Sequence, residues 1–449
     1  MNNIIKNCSL NRKIYILTIP INVMVSRELL KEILSEQQKR TEKLQKQNFV
    51  QREKLGHLKK FLRIKQSIII TGVRRCGKSV LMLQIIKNFY KNFYYINFED
   101  ERLADFKLKD FNRLYEVCIE LFGKNKTFFL DEIQNVEGWE RWVRRMYEDD
   151  FKFFITGSNA RLLSKELATL LTGRHLQFTI FPFSFKEFLK FYNFDLNKRD
   201  IYLTEKRASI KKYFSKYIVD GGFPECIKNH KIEILQEYFS DIIQKDLVER
   251  FKIEDTKKLK ELARYVLTNS GKLTTYNRLR GLTEIKSVNT IIKYLSYLED
   301  AYLMFSVPYF SYSLRKQMAN PFKIYSIDTG LANAVSFKFS KDVGRAYETV
   351  VAIELKRRDK EFYYWKNTLH EEVDFVLKEK LKIKQLIQVC YDIEDYDTKK
   401  REIKSLLKAG KELKCRNLLI ITDEKEDEEI IKNNKIKYVP LWKWLLSEK

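Results

Sequence analysis

Apolar residues in the first third of the chain gather into short continuous runs separated by helix-spaced stretches. Residues 66–73 (QSIIITGV), 127–132 (TFFLDE) and 152–159 (KFFITGSN) are too short for helices and end on glycine, hydroxyl or acidic side chains. Strands buried on both faces of a parallel sheet read this way. The run VLMLQIIKNFY that follows Ser79 is helical instead. Strands alternating with helices predict an α/β fold around a parallel sheet.

The pattern changes after residue 255. KKLKELARYVLTNSG, TTYNRLRGL and SVNTIIKYLSYLEDA are short helical patterns, and the apolar stretch YLMFSVPYF follows them. Two short helices, a turn, a third helix and a hairpin-like stretch predict a winged helix-turn-helix. Its third helix would begin at Ser287 and turn Ile291, Ile292, Leu295 and Leu298 to the core. Ser287, Asn289, Thr290 and Lys293 would then face a groove.

The chain has 449 residues, 44% hydrophobic and 14% aromatic, which excludes disorder and predicts several domains. The six cysteines (8, 76, 118, 226, 390, 415) show no C-x-x-C spacing and do not cluster with the four histidines. Reduced thiols in the cytoplasm are expected, without a zinc site. No run of about 18 apolar residues offers a membrane span. The run at 14–25 follows Lys6, Arg12 and Lys13, but no small-residue cleavage site comes after it. Met24 opens an amphipathic pattern, so residues 1–23 are expected to be an extension upstream of the fold.

The formal charge of +25 is unevenly spread: 15−5 = +10 for residues 1–65, 32−28 = +4 for 66–255, 12−5 = +7 for 256–330 and 26−22 = +4 for 331–449. Lys and Arg concentrated in this way suit a polyphosphate partner, because each phosphate contact releases condensed counterions. Nucleic acid, with DNA favoured, is the expected partner.

The chemistry concentrates after the first strand, in Gly72-Val73-Arg74-Arg75-Cys76-Gly77-Lys78-Ser79 followed by Val80. Glycines let the backbone N–H groups of such a loop turn toward the phosphates of ATP at a helix N-terminus. Lys78 reaches the phosphates and the Ser79 hydroxyl ligates Mg²⁺. Asp131 is placed to hold the magnesium shell, Glu132 to polarise the attacking water, and Ser158 and Asn159 to sense the γ-phosphate.

These motifs, with ITGSNARLLSKELATLLTGRHLQFTIFPFSFKEFL (155–189), LDEIQ (130–134) and GGFPE (221–225), resemble the AAA-type P-loop ATPases of archaea and bacteria. Members carry a C-terminal winged helix and a restriction-endonuclease-like domain of unknown function. The likeness covers about residues 45–449. It implies a three-layer parallel sheet with an additional strand, then a helical segment, a winged helix and a small α/β nuclease-like domain. On this basis the chain divides into 1–45, an extension and basic helix; 46–190, the ATP-binding domain; 191–255, the helical segment; 256–330, the winged helix; and 331–449, the nuclease-like domain. The likeness also implies an arginine acting on the γ-phosphate, commonly from a neighbouring copy in a homo-oligomer, with Arg174 the first candidate and Arg161 the second.

In the nuclease-like region the resemblance assigns Mg²⁺ to Glu348 and Asp374, with Gln388 beside them. A lysine is required two residues after Gln388, but Cys390 stands there. A thiol cannot replace an ammonium, so no cleavage is expected unless Lys384, Lys399 or Lys400 substitutes. Two functions stay open: an ATPase working on or along nucleic acid, and an ATP-dependent switch that docks a protein through the winged helix.

Overall fold

A computed structural model describes residues 25–158, 173–197, 199–336 and 342–447. The apolar runs form a five-stranded, all-parallel sheet of β1 (Ser67–Thr71), β2 (Tyr94–Asn97), β3 (Thr127–Asp131), β4 (Lys152–Gly157) and β5 (His175–Thr179), in the order β2-β3-β4-β1-β5. The strand bearing the acids is thus separated from the strand before the phosphate loop by β4. Every residue of β1 is buried, as a two-sided strand requires. Phe129 on β3 stacks on Phe154 of β4 with ring centroids 4.5 Å apart. Helix Arg27–Gln45, begun by the Ser26 side chain accepting from the Leu29 N–H, packs with Phe111–Phe122 and Trp139–Glu148 around one sheet face. Helix Lys78–Phe89 lies in the core of the other face.

Residues 204–249 add helices Thr204–Asp220, Pro224–Asn229 and Glu233–Asp241, the last running on as a π-helical stretch, Ile242–Glu249. Helices Thr256–Thr268, Tyr276–Leu282 and Val288–Asp300 then accompany a small antiparallel sheet of β6 (Leu273–Thr274), which lies between the first two helices, and β7 (Met304–Val307) and β8 (Phe322–Ser326), which follow the third, ordered β6-β8-β7. In the third of these helices Ile291, Leu295 and Leu298 are buried, whereas Ile292 is exposed. Tyr294 occupies the i+3 position beside Ile291 and takes the core place expected for Ile292, whose direction points outward.

The C-terminal sheet is mixed, six strands ordered β13-β14-β12-β11-β10-β9, with β9 (Glu361–Lys366), β10 (Glu372–Glu379), β11 (Lys382–Val389), β12 (Leu418–Thr422), β13 (Asp427–Ile431) and β14 (Asn434–Pro440). Helix Val343–Arg357 carries Glu348 against it. One cluster of buried side chains runs from Leu55 through the helical segment and the small sheet to Leu445. No helix among the described residues is long and apolar enough to cross a membrane.

Candidate nucleotide site

The loop after β1 holds its shape through three residues with positive φ: Gly72 at 147°, Arg75 at 68° and Gly77 at 100°. At Gly72 a Cβ would lie 2.2 Å from the Ile180 carbonyl oxygen, so the strand-to-loop passage admits only glycine. Beneath the loop sits Arg52, a residue sequence reasoning did not single out. Its Nη1 donates to the Cys76 carbonyl at 2.6 Å, Nη2 to the Phe181 carbonyl at 2.6 Å and Nε to Glu187 Oε1 at 3.0 Å. Both partners of this ion pair are buried. Glu187 is held in turn by a capping box with Ser184.

Gly77 caps helix Lys78–Phe89, so Lys78 opens the helix and Ser79 follows. The Lys78 ammonium, buried, lies 3.2 Å from Glu132 Oε1 and donates weakly to the carbonyls of Gly72 and Val73 at 3.3 and 3.4 Å. Burial opposes its charge, but Glu132, with Cys76 and Asp131, more than compensates and its pKa is raised. Ser79 Oγ donates to Asp131 Oδ1 at 3.1 Å, Tyr95 OH to Asp131 Oδ2 at 2.8 Å, and the Thr156 hydroxyl also donates to Asp131. Burial and the neighbouring Glu132 raise the Asp131 pKa despite these three donors. Burial pushes Glu132 the same way, yet the Lys78 ammonium, the Gln134 hydrogen bond and the Arg74 charge together outweigh it, and the carboxyl sits below its ordinary value. Glu132 follows β3 in the left-handed conformation, φ 52°, with its N–H bonded to Thr156 Oγ1 at 2.9 Å and Gln134 Nε2 donating to its carboxylate at 2.5 Å.

Lys78, Ser79, Asp131 and Glu132 therefore converge at one edge of the sheet. Val73 and Cys76 are buried beneath the loop, Val80 is half-buried, and the Cys76 thiol donates to the Ile180 carbonyl. The two loop arginines turn to the helical segment. Arg74 makes a two-pronged contact with Asp246, at 3.0 and 3.1 Å, and a third bond to Glu99 at 2.8 Å. Arg75 lies over the Tyr238 ring. Asp246 sits in the π-helical stretch, a rare geometry often found at functional positions, and also faces Ser158 Oγ at 3.5 Å. Asn159 and Arg161 lie outside the described residues.

Arg174 is not near this chain's own loop. Its carbonyl accepts from Ser67 at the start of β1, and its guanidinium lies 3.4 Å from Glu148. Five strand residues, about 16 Å, separate that edge from the phosphate-loop edge. A parallel strand starts at the sheet edge opposite the loop, so Arg174 could meet a γ-phosphate only from a neighbouring copy, the route the resemblance implies.

In the C-terminal sheet, Glu348 and Asp374 do converge, but around an ammonium. Lys323 of β8, buried, lies 2.8 Å from Glu348 Oε1, 2.8 Å from Glu372 Oε1 and 3.0 Å from Asp374 Oδ1. Gln388 accepts from the Asp374 N–H and donates to Glu402. Cys390 is buried, and its thiol is pushed up to about 12 by burial and by Glu402. Lys384 pairs with Glu379, Lys399 pairs with Glu429, and Lys400 lies over the Tyr396 ring. None of the three reaches the cluster. Among the described residues no three His, Cys, Asp or Glu side chains form a metal-holding group.

Known proteins bear on the geometry. Residues 65–189 match the model of an AAA domain, and 211–342 and 343–444 match two domains of unknown function, DUF8612 and DUF4143. The chain is similar to a Haemophilus influenzae protein, 32% identical over 340 residues, 72% of this chain and 82% of the relative. Among solved structures it is similar to the Walker-type ATPase PABY2304 of Pyrococcus abyssi, at 14% identity and a TM-score of 0.41, over 65% of this chain and 99% of that one. It is also similar to MJ1544 of Methanocaldococcus jannaschii, 42% identical over 399 residues, 84% of this chain and 88% of that protein. With that identity over that length, the chain belongs to the family of the M. jannaschii protein, and an AAA domain encloses its phosphate loop and both carboxylates.

Proposed function

We propose that the protein is a Mg²⁺-dependent ATPase that works on or along nucleic acid, DNA in preference to RNA, and that residues 256–330 act as a winged helix. The observation that carries the ATPase reading is the convergence of buried Lys78 and Asp131 with half-buried Ser79 and Glu132, in two pairs each within 3.2 Å. The donors suit magnesium, because Ser79 and Asp131 present hard oxygens already in contact at the N-terminus of a helix. Bound there, Mg²⁺ would neutralise charge on the β- and γ-phosphates. Glu132 and two loop carbonyls satisfy Lys78 in the structure. When phosphates take the ammonium, Glu132 is released to orient and polarise water at the γ-phosphate. Tyr95 and Thr156 keep Asp131 pointed at Ser79.

The nucleic-acid part rests on charge and exposure. Residues 256–330 carry +7, and Ser287, Asn289 and Lys293 are exposed beside Lys286, with Thr290 half-buried. The positive N-terminal segment supports the reading less than its count suggests. In helix Arg27–Gln45, Arg27 pairs with Glu116 and Glu120, and Lys31 with Glu120. A second reading, an ATP-dependent switch that docks a protein, is favoured by one feature: Tyr312, Leu314 and Met318 are 73–84% exposed around helix Leu314–Ala319. ATPase rate measured with double- and single-stranded DNA across a salt series separates the two. Stimulation that falls steeply with salt supports the first, and a rate indifferent to DNA supports the second.

A further inference from the structure

We infer that the Lys323 ammonium is the resident cation of the carboxylate cluster formed by Glu348, Glu372 and Asp374, and that this cluster takes no divalent metal while that ammonium is in place. An ammonium has three N–H donors. Here the Nζ lies within 3.0 Å of an oxygen of each of three carboxylates and donates hydrogen bonds to Glu348 and Asp374, in a site where Lys323 is only 2% exposed. Most of these carboxylate oxygens carry a further contact. Asp374 Oδ2 accepts from the Val389 N–H at 3.0 Å, Glu348 Oε1 accepts from Tyr325 OH at 2.6 Å as well as from Lys323, and Glu372 Oε2 is 3.2 Å from the Lys366 ammonium. Two ammonium groups thus face three carboxylates. A divalent cation could enter only by expelling Lys323 or by sharing its oxygens against like-charge repulsion.

Topology makes this more than charge pairing. Lys323 comes from the small antiparallel sheet, β8 pairing with β6 and β7, while Glu372 and Asp374 belong to β10 of the C-terminal sheet and Glu348 to the helix packed on it. The same strand also sends Tyr325 OH to Glu348. One strand of the middle region therefore delivers both contacts that close the cluster. The ion cluster acts as a latch between the two sheets, in the position where the nuclease resemblance would put metal.

The test uses the nucleotide-free full chain and Mn²⁺ as the probe, counted by electron paramagnetic resonance, with melting recorded alongside. Any ion at Ser79 and Asp131 is common to all variants and cancels in the differences. The wild type and Asp374→Asn should bind the same amount of Mn²⁺. Lys323→Ala should gain one Mn²⁺ per chain, lose it again in Lys323→Ala with Asp374→Asn, and melt higher with Mn²⁺ than without. Lys323→Arg, which keeps a cation, should gain none. A wild-type Mn²⁺ site that disappears in Asp374→Asn would overturn the inference. So would wild-type Mg²⁺-dependent plasmid nicking that disappears in Asp374→Asn, or a folded Lys323→Ala protein that gains no site. If Lys323→Ala does not fold, the comparison of wild type with Asp374→Asn decides alone: equal binding supports the latch, and unequal binding refutes it.

Discussion

Glu132→Gln tests the nucleotide site more sharply than removal of the lysine, because it is expected to raise one quantity while abolishing another. Lys78 is buried, and among the described residues its only carboxylate partner within ion-pair distance is Glu132, at 3.2 Å. Gln keeps the shape and a neutral acceptor but removes the counter-charge. A hydrogen bond to a charged group is worth about 1.5–3 kcal/mol, so the variant should lose about 2 kcal/mol of nucleotide-free stability. ATP binding has to break that pair in the wild type and not in the variant, so the same energy returns as affinity, about thirtyfold at 1.36 kcal/mol per tenfold. Calorimetric titration with Mg-ATP should show the tighter binding. Melting without nucleotide should fall and recover with Mg-ATP, and turnover should be lost with the carboxylate that polarises water. The sign with pH follows from the depressed Glu132 pKa. The pair's contribution is present above the ordinary value of 4.5 and is lost as pH falls through the lower folded value. A variant with wild-type affinity and wild-type nucleotide-free melting would refute the reasoning.

Gly77→Ala should destabilise the loop by about 1–3 kcal/mol and weaken ATP binding, because its φ is 100° and a Cβ would lie 2.7 Å from Arg52 Nη1; melting and titration measure both. Asp246→Ala removes the two-pronged hold on Arg74 and should make residues 233–253 more susceptible to limited proteolysis, a difference read directly on a gel. Asp328 is pushed up to about 6 by burial, against backbone N–H donors that include Gly222 and Leu331. Its folded state therefore holds the proton more tightly, and its contribution is present at low pH and lost as pH rises through about 6. Relative to Asp328→Asn, the wild type should lose up to about 3 kcal/mol between pH 4 and 7, measured by denaturant melts. Lys286→Glu with Lys293→Glu should weaken DNA binding and flatten its salt dependence in a fluorescence titration if the third helix of residues 256–330 meets phosphates.

The phosphate loop, the strand that ends in Asp131 and Glu132, and the α/β class were legible because each is a property of neighbouring positions. Glycines, a lysine and a hydroxyl stand within eight residues, and buried parallel strands are continuous apolar runs. The register of helix Val288–Asp300 was legible except at Ile292, whose core place is taken by Tyr294, three residues after Ile291. What lay beyond local pattern was every contact that closes through space. Arg52 and Glu187 are 135 positions apart, Arg74 and Asp246 172, and Lys323 and Asp374 51. Nothing in their spacing announces a partner, since a buried charge is defined by what surrounds it. The direction of β5 likewise decided that Arg174 lies at the edge away from the loop, which one residue's place in the sequence cannot state. The sequence by itself determined which groups could handle phosphate. Only the tertiary structure decided that Lys78 is held by Glu132 and that the carboxylates of the C-terminal sheet are held by a lysine from another sheet, because pairing energies depend on distance and burial rather than on order along the chain.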